Sequence, residues 1–191
     1  MFNLANEKSL CIKQVQDPSK NFIVKAPYGE CCLIDYMNLD ILEFVKKEII
    51  HSKKKGFKKN AINLLMNEPS HLCNGDCYYK NISDNKIQLP FTPGVKGNRL
   101  DLNTLPLDLI QNKDENLSLL NTHNLYSLQE SKNHFTAMYD SGVKRPMVFS
   151  RSIFPGSQQY TGKWLGYIEA SWLGLKMSLV QTILNNVNII N

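Results

Sequence analysis

The sequence predicts an α/β fold built from parallel βα units. Short apolar runs typical of buried strands alternate with segments of helical periodicity, in the order strand, helix, strand, strand-like segment, helix. The chain has 191 residues, of which 42% are apolar and 20% are charged, as in an ordinary globular protein with a real core. A closed eight-stranded βα barrel typically needs about 250 residues, so a complete barrel is not expected.

The first predicted helix begins after Asn38 or Asp40, either of which can cap it. Residues 61–66 follow as a short apolar run ending in turn formers, which predicts a buried strand. The apolar face of the helix consists of Ile41, Leu42, Val45, Ile49 and Ile50.

Residues 71–116 are predicted to form a long loop, because glycine and proline interrupt any regular period. A helix is predicted from about Asn121 to Gly142, followed by a buried strand at 146–150 and a weaker strand at 159–165. The last predicted helix begins near Ala170. Its inner side is predicted to comprise Trp172, Leu175, Leu179, Ile183 and Leu184.

The formal charge of +5 comes largely from one lysine cluster after the first helix. Nucleic-acid binding calls for basic residues interleaved with aromatic ones, and only Phe57 is present here. We therefore expect a solvated turn at a helix C-terminus and no nucleic-acid partner. The apolar C-terminal stretch contains Lys176 and several asparagines, so no membrane segment is expected. The cluster comprises Lys53, Lys54, Lys55, Lys58 and Lys59.

Among five cysteines, Cys73 and Cys77 are close enough to form a small disulfide loop, with free thiols as the alternative. No paired His or Cys elsewhere has zinc-ligand spacing, so a local disulfide is favoured over a metal site and no metal is expected. Asn81 and Asn116 each begin an N-glycosylation sequon, which favours secretion. The N-terminus lacks the apolar run of a signal peptide, which opposes secretion, and the compartment is left open.

Three segments carry a family resemblance. Residues 66–70 read Met-Asn-Glu-Pro-Ser, 145–154 read Arg-Pro-Met-Val-Phe-Ser-Arg-Ser-Ile-Phe, and 163–166 read Lys-Trp-Leu-Gly. In this order they resemble the Asp-Met-Asn-Glu-Pro-Ser signature, the Arg-Pro-Phe strand with its Ser-Arg-Ser, and the start of the Trp-x-Gly-Asp-Asn segment of glycoside hydrolase family 31, the retaining α-glucosidases. Support comes from His-Asn-Leu-Tyr at 123–126 and Glu-Ala-Ser-Trp at 169–172.

The resemblance implies a partial (β/α)8 TIM barrel that covers roughly strands four to six, with flanking helices and the long loop. It divides the chain into a poorly assigned segment, 1–33, and a barrel fragment of the catalytic domain, 34–191. It also suggests a secretory or lysosomal location. The open edges of such a sector would favour association with another chain.

Two substitutions bear on the chemistry that the resemblance implies. A retaining glycosidase needs two carboxyl groups, one as nucleophile and one as acid/base. Leu65 stands at the family's nucleophile position and Tyr167 at its acid/base position, so neither catalytic residue is intact. Leucine has no lone pair to offer, and a phenol is a far weaker acid than a carboxyl group.

The residues at the family's sugar-recognition positions match the family better than those at its two catalytic positions. Met66, Arg151 and Trp164 match family positions that line the glucose pocket, although core packing explains Met66 and Trp164 equally well. Glu68 lies three residues beyond Leu65, so in an extended strand its side chain would point to the opposite face. Glu169 could reach inward, but it would still lack a nucleophile.

The resemblance thus implies a retaining α-glucosidase type of chain that is truncated and catalytically inactive. The alternative is a non-catalytic carbohydrate-binding or regulatory module. An α-glucoside is the only predicted ligand, and no cofactor is expected.

Overall fold

The computed structural model describes residues 9–27, 29–58, 60–73, 87, 90–91, 94–95, 98–99, 104–112 and 114–186. Lys59, Cys77 and Asn81 lie outside these residues, as does much of the predicted loop at 71–116. The chain divides into two compact units. The first comprises Met1–Ile41 and Pro69–His123, and the second comprises Leu42–Glu68 and Asn124–Asn191.

The described part of the chain contains nine short strands and four α-helices. The strands are β1 (Ile23–Ala26), β2 (Gly29–Cys32), β3 (Ala61–Leu64), β4 (Gly94–Val95), β5 (Asn98–Arg99), β6 (Ile110–Gln111), β7 (Leu117–Ser118), β8 (Met147–Ser150) and β9 (Gly162–Lys163). The helices are α1 (Ile41–Lys54), α2 (Leu119–Thr122), α3 (Tyr126–Asp140) and α4 (Trp172–Asn186), with 3₁₀ turns at His123–Leu125 and Ser157–Gln159.

The first unit is built from short antiparallel pairs, β1 with β2, β4 with β5 and β6 with β7. Residues 110–111 of the predicted loop therefore form a strand. The turn between β6 and β7 exposes Asn116, the second sequon asparagine. Leu10, Ile12 and Leu105 are among the fully buried side chains of this unit.

Asp35 is a buried carboxylate of the first unit. Its Oδ2 accepts the main-chain N–H of Asn112 at 2.6 Å, and its Oδ1 accepts that of Met37 at 3.0 Å and the amide Nε2 of Gln111 at 3.4 Å. Burial raises the pKa of Asp35, because loss of hydration outweighs these hydrogen bonds. Asp35 therefore ties the segment after β6 to the segment after β2.

A disulfide joins Cys11 to Cys32, 21 positions apart, and was not predicted from the sequence. Cys73 is also disulfide-bonded. The predicted pairing of Cys73 with Cys77 stays a prediction, because Cys77 lies outside the described residues.

The second unit contains a parallel sheet in the order β3, β8, β9. Helix α3 precedes β8 on the chain and contacts it, and β3 pairs with β8 in parallel, so the predicted parallel βα arrangement is confirmed. The prediction of fully buried strands is wrong for one face. Leu64 and Val148 are buried, whereas Asn63, Met147 and Phe149 are exposed, because only one face of the described sheet is covered.

Helix α4 presents its apolar side to solvent, which corrects the predicted inner side. The predicted inner residues, Trp172, Leu175, Leu179, Ile183 and Leu184, are 51% to 87% exposed. Gly174 and Ser178 are less exposed, and a Cβ at Gly174 would meet the carbonyl oxygen of Glu169. No helix in the described part of the chain is long and apolar enough to cross a membrane.

Candidate functional site

The candidate site lies where β3 and β8 end, in the second unit. These strands run parallel in a register that places Leu64 opposite Ser150. Because parallel strands end at the same edge of a sheet, the residues that follow them, Leu65 and Arg151, lie at one edge. Strand β9 ends at this edge too, with Lys163 beside Ser150.

Asn67 is the buried residue that fastens the two strand ends together. Its Nδ2 donates to Ser150 Oγ at 2.7 Å, and its Oδ1 accepts the main-chain N–H of Ser152 at 2.9 Å. Ser152 Oγ donates in turn to Ser127 Oγ at 3.2 Å, which reaches helix α3. The sequence predicts Asn67 only as a turn former. The signal for a residue that joins two strand ends, here called the Asn67 clamp, was an amide side chain directly after an apolar run.

Leu65 and Met66 form the turn that leaves β3. Met66 has φ of 52°, a left-handed conformation that costs a non-glycine residue roughly 1–2 kcal/mol. The side chains of Leu65 and Met66 are 56% and 44% exposed. The predicted nucleophile position therefore carries a largely exposed aliphatic side chain, and neither residue belongs to the buried core.

Arg151 and Glu68 form a two-point ion pair at this edge. Arg151 Nε donates to Glu68 Oε1 at 2.8 Å and Nη2 to Oε2 at 2.6 Å, and each side chain is 32% exposed. Partial burial opposes ionisation of Glu68, but the hydrogen bonds and charge of Arg151 outweigh it and lower the pKa of this carboxyl. The extended strand assumed for Glu68 is wrong, because β3 ends at Leu64 and Met66 has a left-handed backbone conformation.

Lys163, at the end of β9, supports the same edge. Its Nζ donates to the carbonyl oxygen of Arg151, and the main-chain N–H of the next residue, Trp164, donates to the Ser150 carbonyl at 2.9 Å. Burial lowers the pKa of Lys163, a shift that the Glu68 charge opposes. These contacts hold the start of the Trp164–Tyr167 segment against the end of β8.

Trp164 and Tyr167 meet edge to face. Their ring centroids are 5.4 Å apart at an interplanar angle of 83°. Gly166 between them has φ of 86°, and a Cβ there would lie 3.7 Å from Arg151 Cδ. The aromatic pair therefore adjoins the Glu68–Arg151 ion pair. Tyr167 itself is 96% exposed.

The site thus brings together all three predicted sugar-recognition residues, Met66, Arg151 and Trp164, on adjoining strand ends. Carboxylate chemistry is limited there, since Glu68 is paired with Arg151 and Glu169 is an exposed residue of the segment before α4. Among the described residues, no group of three His, Cys, Asp or Glu side chains could hold a metal ion.

Comparisons with known proteins agree on one family. Residues 1–190 match the TIM-barrel domain of the glycosyl hydrolases family 31. Lysosomal alpha-glucosidase of Bos taurus is 33% identical over 123 residues, which cover 64% of this chain and 13% of that protein. Intestinal sucrase-isomaltase of Homo sapiens is 27% identical over 161 residues, which cover 82% of this chain and 9% of that protein.

A solved structure shows the same fold. The crystal structure of glucosidase II alpha subunit in its alpha3-Glc2-bound form superposes with a TM-score of 0.66 at 23% identity, covering 91% of this chain and 16% of that chain. The chain spans about an eighth or less of the length of the curated relatives named above. With the domain match extending over residues 1–190, the chain belongs to glycoside hydrolase family 31.

Proposed function

We propose that this chain is a family 31 relative of the retaining α-glucosidases that does not hydrolyse glycosidic bonds. The observation that carries the proposal is the occupancy of the two catalytic positions. Leu65 and Tyr167 stand where the mechanism needs a nucleophilic carboxylate and a proton-donating carboxyl about 5 Å apart. Leucine offers neither a lone pair nor a proton, so the covalent glycosyl intermediate has no nucleophile to form on.

Neighbouring carboxylates are poor substitutes. Both carboxylate oxygens of Glu68 accept hydrogen bonds from Arg151, and the pKa of Glu68 is lowered. Glu68 is therefore held in its ionised form, which has no proton to donate. Glu169 is two residues beyond Tyr167, on the exposed segment before α4. Even if Glu169 acted as the proton donor, the site would still lack a nucleophile at position 65.

In this proposal the three parallel strands β3, β8 and β9 are strands four to six of the barrel, within a partial catalytic domain spanning 34–191 after the segment 1–33. Their shared direction and their order along the chain support this assignment. Barrel enzymes build their sites at the C-terminal strand ends, where Leu65, Arg151 and Trp164 lie.

Hydrolysis of a chromogenic α-glucoside tests the proposal. We expect no release of the chromophore by the unaltered chain, and release by it would overturn the proposal. A Leu65→Asp/Tyr167→Asp variant places carboxyl groups at both catalytic positions. Leu65→Asp/Ile168→Asp is the matched control, because it adds the same two carboxyl groups with one shifted by a single residue. Activity confined to the first variant would assign the loss to positions 65 and 167.

A second candidate function is carbohydrate binding without catalysis, as a binding or regulatory module. The specific observation in its favour is that Arg151 and Trp164 keep exposed polar and aromatic surface at the strand ends, rather than sinking into the core. Calorimetric titration of the full chain with maltose tests this candidate, and the absence of any binding heat would remove it.

A further inference from the structure

We propose that a set of basic side chains at the N-terminal ends of β3 and β8, here called the basic edge, binds a sulfated polysaccharide. These strand ends lie at the opposite end of the sheet from the candidate site. The proposal goes beyond the proposed function, because it concerns a different surface and does not depend on whether the chain hydrolyses glycosides. The described members of the basic edge are Lys53, Lys54, Lys55, Lys58, Lys144 and Arg145, and all six are exposed.

The two segments that supply the basic edge share one construction. Each has a glycine two residues after the end of a helix, then one apolar residue and two basic residues. A strand of the parallel sheet begins five residues after each glycine. The glycines are Gly56, after α1, and Gly142, after α3, with φ of 89° and 88°. The same order of residues therefore leads into two adjacent strands.

The register of the sheet brings these two segments together. Ala61, the first residue of β3, lies opposite Met147, the first residue of β8. The main-chain N–H of Met147 also donates to the carbonyl oxygen of Asn60 at 3.0 Å. Lys58 and Lys144 each lie three residues before these strand starts. The cations of the two segments therefore enter the same edge of the sheet at matching positions.

The basic side chains are not needed to satisfy the ends of the helices. At the end of α1 the main-chain N–H of Gly56 donates to the Lys53 carbonyl oxygen at 3.0 Å. At the end of α3 the N–H of Gly142 donates to the Tyr139 carbonyl oxygen at 2.9 Å. In both helices, the residue after the glycine donates to the carbonyl five positions before it, at 3.1 Å. Main-chain groups thus satisfy the terminal carbonyls, and the basic side chains extend into solvent.

The charge of the basic edge is not balanced by acidic neighbours. None of its six described side chains forms an ion pair with another described residue. The nearest acidic residues along the chain are Glu48 and Asp140. The carboxylate of Asp140 lies 3.8 Å from the ammonium group of Lys46, which is not a member of the basic edge. A cluster of exposed like charges attracts a polyanion, because binding relieves their repulsion and releases counterions.

The disulfides of the chain favour one class of polyanion. Cys11 is bonded to Cys32, and Cys73 is also disulfide-bonded. Structural disulfides are typical of oxidising compartments and are rare in the cytosol and nucleus. Nucleic acids belong to the cytosol and nucleus, and the anionic leaflet of the plasma membrane faces the cytosol. Sulfated polysaccharides are polyanions of the oxidising side, so they fit both the charge and the disulfides.

Calorimetric titration of the full chain with heparin tests the basic edge. Lys58→Gln/Lys144→Gln removes one charge from each segment, and we expect the affinity for heparin to fall about tenfold. The slope of log affinity against log salt should also become shallower, because fewer counterions are released. Lys25→Gln/Lys176→Gln is the matched control, since it removes the same charge from exposed lysines elsewhere. The control should bind heparin within about twofold of the unaltered chain.

Three results would each overturn the basic edge. They are the absence of salt-sensitive heparin binding, equal weakening by the two double variants, and binding of DNA or phosphatidylserine vesicles as tightly as heparin. Circular dichroism checks that each variant is folded, and Lys54→Gln/Arg145→Gln repeats the test if Lys58→Gln/Lys144→Gln does not fold. None of these results bears on hydrolysis, so this proposal and the proposed function can fail independently.

Discussion

Glu68 and Arg151 stand 83 positions apart and meet through two hydrogen bonds of 2.8 and 2.6 Å. The pair joins the turn after β3 to the end of β8. It therefore links two strand ends that are far apart along the chain.

Replacing Glu68 with glutamine should lower the free energy of unfolding by about 1 kcal/mol at pH 7, because the charge contribution of a partly exposed pair is modest. The folded-state pKa of Glu68 lies below its ordinary value of 4.5. Its stabilising contribution is therefore present above about pH 4.5 and is lost as pH falls through the folded-state pKa. Urea unfolding between pH 3 and 7 measures this difference. The exposed Glu169→Gln serves as control, and a gap independent of pH would contradict the prediction.

Asp35→Asn should destabilise the first unit by about 2 kcal/mol, because an amide nitrogen replaces one carboxylate oxygen among main-chain N–H donors. The pH dependence has the opposite sign from that of Glu68. Since the pKa of Asp35 is raised from 3.8, its contribution is present below pH 3.8 and is lost as pH rises through the folded-state pKa.

The stability gap between the unaltered chain and Asp35→Asn should therefore be largest in acid and should narrow toward neutral pH. Urea midpoints at several pH values measure it. Asp17→Asn, a change at a surface turn, is the control. A gap that widens with pH would show that hydrogen bonding, not burial, governs the titration of Asp35.

Cys32→Ser should lower the free energy of unfolding by about 3 kcal/mol, the usual effect of opening a loop of this length. The bond it removes closes a loop between positions 21 apart. Unfolding in urea without reductant measures the loss, so that the bond at Cys73 stays intact. Cys31→Ser, one residue away, leaves the Cys11–Cys32 bond in place and should behave as the unaltered chain does.

The exposed apolar side of α4 should cause the chain to associate. Leu179 and Ile183 lie one turn apart on this side and are 58% and 61% exposed. We expect the chain to elute from size exclusion above the mass of 21.9 kDa, and Leu179→Glu/Ile183→Glu to shift it toward that mass. Leu39→Glu, at another exposed leucine, is the matched control. A compact monomer at all concentrations would exclude association through α4.

The parallel βα arrangement was predictable because the spacing of apolar residues indicates which segments are strands and helices and which positions prefer burial. It does not record what covers them. Trp172 and Leu179 follow helical periodicity, yet both are exposed, as are most of the described side chains of α4. Periodicity thus identified the helix but not whether the described protein covers it.

The sequence did not predict the direction of the Glu68 side chain, and the reason is local. Alternation of side chains holds only in extended backbone, and nothing in a methionine marks a left-handed φ, which glycine or asparagine would have signalled. The Cys11–Cys32 disulfide was not predicted, because spacing along the chain does not determine which cysteines pair. The sugar-recognition residues came from the resemblance, and their roles stay predictions.

The hydrogen bonds of Asn67 fix the backbone near position 65 without using the side chain at that position. The backbone on either side of position 65 is fixed by Asn67, Ser150 and Ser152, while the side chains at 65 and 167 are largely in water and stabilise little. A carboxylate could therefore disappear from either position at almost no thermodynamic cost. If hydrolysis has been lost as proposed, the scaffold around the site need not have changed with it.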